Sequence, residues 1–337
     1  MTTLVRERPP VTGRRSGWNV RRWATAWSSQ LGITAAFAVV WLVFTVLAPA
    51  TFLGSRIYVS YAQTVPYFGI TALALTMLII AGDIDLSFPA VFALGMVGYV
   101  AVEHTTGNVT LGLLTALAIG AAAGLINGVF VTVFGIPALV LTIGTQFLYR
   151  GLTLVLVNGK SYTLTETSGT VASRLLVGRF LGIPMQFVWF AVLAVVCWIL
   201  LYRHRLGHNA HVIGDNSQAA ALMGVPIART RMILFLLTGL AAAFAGAMNS
   251  FAVLNFYPGQ GDGYLLPALA AVFVGGTSVF GGRGTVWGTF IGAFLIGGIE
   301  AGIVAVGLEE FYSQLLYGCI ITAAITIHAV LQRRFSH

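Results

Sequence analysis

The stretch "AGDIDLSFPA", residues 81–90, sets two carboxylates, Asp83 and Asp85, between two strongly apolar runs. Only ten residues of the 337 are acidic, and a carboxylate near hydrocarbon is costly unless something compensates it. Working outward, apolar runs of about 20 residues, the length that crosses hydrocarbon, recur along nearly the whole chain. The chain is 58% hydrophobic and 8% charged, with mean hydropathy +0.89; a soluble protein carries about 25% charged residues. The fold class is therefore an all-α polytopic membrane protein. Its 40 glycines suit close helix approach.

Ten transmembrane helices are expected, near 31–50, 58–80, 88–102, 110–133, 137–156, 186–202, 229–254, 265–280, 284–305 and 311–331. This gives a polar N-terminal tail over 1–30, one transmembrane domain over 31–331 and a short C-terminal tail over 332–337. The tail's twin arginines, Arg14 and Arg15, suggest an export signal, but the following apolar stretch is long enough to span and lacks a clear cleavage site. With both termini cytoplasmic, most of the 18 basic residues fall inside, and Arg56, Arg150, Lys160, Arg174 and Arg179 fall outside. That bias follows the positive-inside rule, so net charge +8 reflects topology, not nucleic-acid binding. Cys197 and Cys319 lie in apolar runs and read as small core residues. The longest outer loop is 157–185, and the longest inner one is 203–228.

"GDIDLSFPA" at 82–90 and "GDGYLLPA" at 261–268 share Gly-Asp, a gap, Leu and Pro-Ala. They precede the third and eighth spans, the third members of two five-span halves, which would then be inverted repeats. Both of these spans are expected to be short, at roughly 15 residues, and short segments at matching positions point to a transport path. Ser87 reads as an N-cap for the third span, with Pro89 in its first turn. Gly82 lets the chain turn, Asp83 is expected to be exposed, and Asp85 and Ser87 are expected to be structural.

In "GDNSQAAALMGVP", 214–226, Asp215, Asn216 and Ser217 offer capping oxygens. Gln218, Ala219, Ala220, Leu222 and Met223 build a short helix, which Gly224 and Pro226 stop. Two turns are not stable alone, so the helix lies on its own protein or the bilayer, or docks a partner. "VNGKSYT", 157–163, resembles the end of a phosphate loop but has Leu154 where a Gly is required. His204, His208 and His211 have helical spacing but no neighbouring carboxylate, which favours a basic interfacial loop over a metal site. "GGTSVFGGRGTVWGT", 275–289, reads as a tight turn marked by Arg283. Glu103, Glu309 and Glu310 read as solvated span ends. Glu300, within "LIGGIEAGIVAVG", is an intramembrane acid and a functional candidate.

Several stretches together resemble the permease subunit of ribose-type ABC importers. They are "GDIDLS", "AGLINGVFVTVFGIPALVLTIGTQFLYRGLTLVL", "IGDNSQAAALMGVPIARTRMILFLLTGLAAAFAG" and "GGTSVFGGRGTVWGTFIGAFLIGG", in the family's order, within a similarity that runs from about residue 60 to the C-terminus. The resemblance implies a fold similar to the cobalamin-importer type of ABC transmembrane domain, in the bacterial inner membrane. It implies a homodimer or paralogous heterodimer of permeases and a periplasmic or lipid-anchored binding protein that delivers a monosaccharide. It also implies partner ATPase subunits that bind the ATP and Mg, so this chain needs no cofactor, and it assigns 214–224 to ATPase docking. One departure is visible: the family has a second glycine where this chain has Asp83. The alternative is an ion-coupled secondary transporter using Asp83, Asp85 or Glu300. A membrane-embedded enzyme would need a nucleophile–base set or a metal cluster, and neither is evident.

Overall fold

The computed structural model describes residues 20–309 and 311–335, so most of the N-terminal tail, with Arg14 and Arg15, and Glu310 lie outside the described residues. The chain is a bundle of helices. In order these are α1 Val20–Leu47, α2 Pro49–Phe52, α3 Ser55–Ile80, α4 Phe88–Thr106, α5 Val109–Val133, α6 Ala138–Leu156, α7 Val171–Val177 and α8 Met185–Tyr202. They continue with α9 Arg205–Asp215, α10 Ser217–Leu222, α11 Ile227–Val253, α12 Leu265–Val274, α13 Val286–Ala305 and α14 Phe311–Phe335. Seven of them (α3, α4, α5, α6, α8, α11 and α13) are long and apolar enough to cross a membrane. The expected spans one, eight and ten coincide with shorter apolar segments, Gly32–Leu47, Asp262–Val274 and Phe311–Thr326.

Two span expectations need correction. The first helix begins at Val20, inside the segment read as a tail. The third span is not short: α4 has 19 residues, and only α12, with 10, is truncated. Gly275 and Gly276 end α12 because the turn to α13 comes early, with Thr277 N–H donating to Val272 C=O at 3.2 Å.

Helix α3 is the hub. From Val65 to Ile80 every residue is buried, because apolar side chains surround the whole circumference and every neighbour can pack on it. By contrast, α5, α6 and α8 bury one face and expose Leu114, Phe147, Leu148 and Val195. Apolar groups on an outer face suit hydrocarbon, not water. Helices α5 and α11 pack backbone to backbone, since a Cβ on Gly239 would lie 2.2 Å from Gly120 C=O.

The loop expected at 157–185 is ordered structure. It contains β1 (Tyr162–Thr163), α7 capped by Thr170, and the hairpin β2 (Arg179–Phe180) with β3 (Ile183–Pro184). Strand β1 pairs antiparallel with β4 (Asn255–Phe256), Tyr162 opposite Phe256, which ties this loop to the segment leading into α12. Cys197 is buried as expected, whereas Cys319 is exposed on α14.

Candidate functional site

The connection 81–87 is built by its sequence. Gly82 takes φ +88°, a conformation that L side chains avoid. This closes α3 with Gly82 N–H on Ile79 C=O at 2.9 Å and Asp83 N–H on Leu78 C=O at 3.2 Å. The chain then runs non-helical to Ser87. Ser87 stands at the N-cap position of α4 with Pro89 in the first turn, but its hydroxyl does not cap. It donates instead to Asp85 Oδ1 at 2.6 Å, and the Ser87 N–H donates to the same oxygen at 2.8 Å.

Asp85 is completely buried, and a network extends from it. Asn127 Nδ2 of α5 donates to Ser87 Oγ at 2.8 Å, and Tyr149 Oη of α6 donates to Ala123 C=O at 3.0 Å, with Asn127 Oδ1 at 3.2 Å. Thr142 Oγ1 donates to Ile84 C=O at 3.2 Å. Burial pushes the Asp85 carboxyl above its ordinary range, opposed first by Ser87 and then by Asn127. These contacts lock the connection to α5 and α6.

Asp83 is not exposed, contrary to expectation. It is 6% exposed, and its Oδ2 lies 3.0 Å from Arg231 Nε of α11. The Arg231 N–H does not point along that line, so charge rather than a directed hydrogen bond holds the pair. Exposure was expected of Asp83 as the departure from the family's pattern; α11 covers it. Burial pushes the Asp83 carboxyl from 3.8 up to about 6, with Arg231 pulling it down. Between about pH 4 and 6 the folded state therefore holds a proton that the unfolded state has lost. Its stabilising contribution is complete below about 4 and is lost as pH rises through about 6, a change of up to about 3 kcal/mol. Thermal unfolding in detergent from pH 4 to 7 should fall more steeply for the parent than for Asp83→Asn. Parallel curves would show that Asp83 does not titrate in that window.

The second Gly-Asp motif meets the first through α6. Arg150 donates to Pro89 C=O at 3.1 Å, to Gln260 C=O at 3.3 Å and to Pro258 C=O, and it pairs with Asp262. Arg150 was expected at an outer span end. It lies twelve residues into α6, about 18 Å along the helix axis, and serves as an internal clamp. The pairs cross: Asp83 of the N-terminal half meets Arg231 of the C-terminal half, and Asp262 of the C-terminal half meets Arg150 of the N-terminal half. Beside the clamp, Gln260 Nε2 donates to Asn249 Oδ1 at 2.6 Å, Ser250 Oγ to Gln260 Oε1 at 2.8 Å, and Asn249 Nδ2 to Tyr264 Oη at 3.2 Å.

A cavity of about 640 Å³ opens next to Tyr264, bounded by α3, α11 and α13. Glu300 is on its wall, where Tyr317 Oη donates to Glu300 Oε2 at 3.0 Å. Glu103 is buried rather than solvated, and Glu309 is exposed.

The segment 214–224 is two helices rather than one. Asp215 ends α9, and Asn216 alone caps α10, accepting from Ala219 N–H at 3.0 Å; Ser217 is its first residue, not a cap. Gln218, Ala219 and Ala220 complete the turns, and Gly224, at φ +76°, ends them. Ala220 is buried, whereas Leu222 is 91% and Met223 66% exposed. Gly214 is fixed by crowding, since a Cβ there would lie 1.8 Å from Ile80 C=O and 2.5 Å from the Gly282 nitrogen. Gly282 N–H donates to Ile80 C=O at 2.9 Å. The apolar tip thus sits on a rigid junction of α9, the end of α3 and the turn before α13. His204 caps α9 through Nδ1 at 3.1 Å, and His211 Nδ1 faces Gly207 C=O at 2.9 Å.

Sequence reasoning missed Asn127, Arg150, Arg231, Asn249 and Gln260. Asn127 and Arg150 carried a usable signal, each being polar inside an apolar run; Arg231 looked like a topology marker.

A family model described as "Branched-chain amino acid transport system / permease component" matches residues 57–325. Ribose import permease protein RbsC of Bacillus subtilis is 32% identical over 88% of this chain and 92% of its own. Its namesake from Escherichia coli is 30% identical over 94% and 97%. Autoinducer 2 import system permease protein LsrD of Photorhabdus laumondii is 30% identical over 93% and 91%. No solved structure matches the chain. The helices, the buried polar connection and a match along most of the length agree: this chain is a multi-pass membrane protein that belongs to the permease family of the branched-chain amino acid transport system type.

Proposed function

We propose that the chain is the membrane-spanning subunit of an ATP-driven importer that passes a monosaccharide or similar small polar solute from a binding protein into the cytoplasm. The observation that carries this reading is similarity along nearly the whole chain to permeases named for ribose and autoinducer-2 import. In this reading ten segments cross the inner membrane, the short α12 being only the helical part of its own, both termini are cytoplasmic, and the chain pairs with a second permease. Partner ATPases hold ATP and Mg and receive the exposed Leu222–Met223 tip. The buried carboxylates are supports, not coupling groups. The test is uptake into vesicles holding the assembled permease, ATPase and binding protein. Uptake should require ATP, persist when the proton gradient is collapsed, and survive Asp85→Asn within about twofold at every pH. An Asp85→Asn variant that folds but loses only gradient-driven uptake would establish the secondary carrier instead.

The ordered segment 157–185 supplies the outer seat for the binding protein. Lys160, Glu166, Arg174 and Arg179 would steer encounter more than they add affinity, and salt would screen them. Neutralising Lys160, Arg174 and Arg179 should slow capture of the loaded binding protein about tenfold at low salt, and much less at high salt. An unchanged capture rate at low salt would remove the loop from that role.

A further inference from the structure

We propose that the 640 Å³ cavity beside Tyr264 is a low-affinity solute site that takes a neutral, ring-shaped polyol of monosaccharide size and does not take an amino acid. This rests on the importer reading above. The volume is ordinary for a small-molecule site. Its wall joins two chemistries. Tyr67 and Tyr264 supply aromatic rings, their centroids 6.4 Å apart, against which the C–H face of a sugar packs. Ser60, Thr64, Asn249 and Glu300 supply hydroxyl, amide and carboxylate groups for sugar hydroxyls.

Tyr61 also lines this cavity, and the 410 Å³ one as well, but its Oη is buried and open to neither. The cavities of about 410, 290 and 210 Å³ are lined almost wholly by apolar side chains and suit hydrocarbon.

Charge sets the class. Among the described residues no Lys or Arg lines this wall, while Glu300 does. An amino acid's ammonium could pair with Glu300, but its carboxylate would enter a wall on which no described residue is a cation. A neutral polyol avoids that mismatch, and a carboxylate accepts from vicinal hydroxyls.

The experiment uses the assembled transporter in vesicles, with Cys197→Ala and Cys319→Ala as background. A single cysteine is introduced by Thr64→Cys, at an exposed wall position, or by Leu148→Cys, on the outer face of α6. A charged, impermeant methanethiosulfonate is then applied. Labelling should cut ATP-driven uptake at least tenfold for Thr64→Cys and less than twofold for Leu148→Cys. D-ribose or D-galactose at high concentration should slow labelling of Thr64→Cys at least threefold, and L-leucine should not. Fully labelled Thr64→Cys that transports normally would overturn the site while leaving the importer reading intact, as would protection by L-leucine alone. An unlabelled assembly that takes up no sugar from a pentose and hexose panel would overturn the importer reading, and the site with it.

Discussion

Arg150→Met should cost the folded protein about 3 kcal/mol, read as an earlier thermal transition in detergent and a lower folded yield. Removing one member of a fully buried ion pair costs about 3–5 kcal/mol. Asp262 is 58% exposed and can turn to water, which places the expectation at the lower end. What Met cannot replace is the fork that gathers the carbonyls of Pro89, Pro258 and Gln260. Lys keeps the charge but lacks the planar fork, so Arg150→Lys should recover only part of the loss. Asp262→Asn should cost less than about 1 kcal/mol, the range of an exposed ion pair. If Asp262→Asn alone reproduces the full loss, the clamp is an ion pair and not a carbonyl cradle.

Leu222→Asp with Met223→Asp should abolish coupled uptake while leaving the protein folded and inserted. Both side chains are exposed at the tip of α10, so neither supports the core. An apolar anchor at the centre of an interface carries about 2 kcal/mol or more, so loss of even one of the two predicts a loss of ATPase binding of at least about thirtyfold at pH 7. The double variant should lose solute-stimulated ATP hydrolysis and uptake together, with unchanged detergent stability. Normal transport would remove α10 from the interface. Reduced stability with retained ATPase binding would make it a strut of this chain alone.

The tip shows how far local signals carry. Asn216 as a cap, the alanines and the Gly224 stop were legible, because capping and termination involve neighbours within a few residues. That Asp215 belongs to the preceding helix was not, since α9 is seated by Gly214 against the remote Ile80, with no room there for a Cβ. The same division holds at Ser87. Its place at the start of α4 followed from Pro89, but its hydroxyl was claimed by Asp85 and Asn127, the latter forty residues away.

By itself the sequence determined the membrane class, most of the spans, the turn at Gly82 and the resemblance to importer permeases. These rest on composition, apolar run length and short-range backbone chemistry, all read along one dimension. Tertiary structure alone decided that Asp83 is buried against Arg231, that Arg150 joins the two motifs through partners 108, 110 and 112 residues away in the second half, and that Tyr61, Tyr67, Asn249, Tyr264 and Glu300 share one wall. The physical reason is that an isolated charge or hydroxyl in an apolar environment is unstable until a partner reaches it. Which partner does so is fixed by how helices remote in the chain pack, and no local pattern records that.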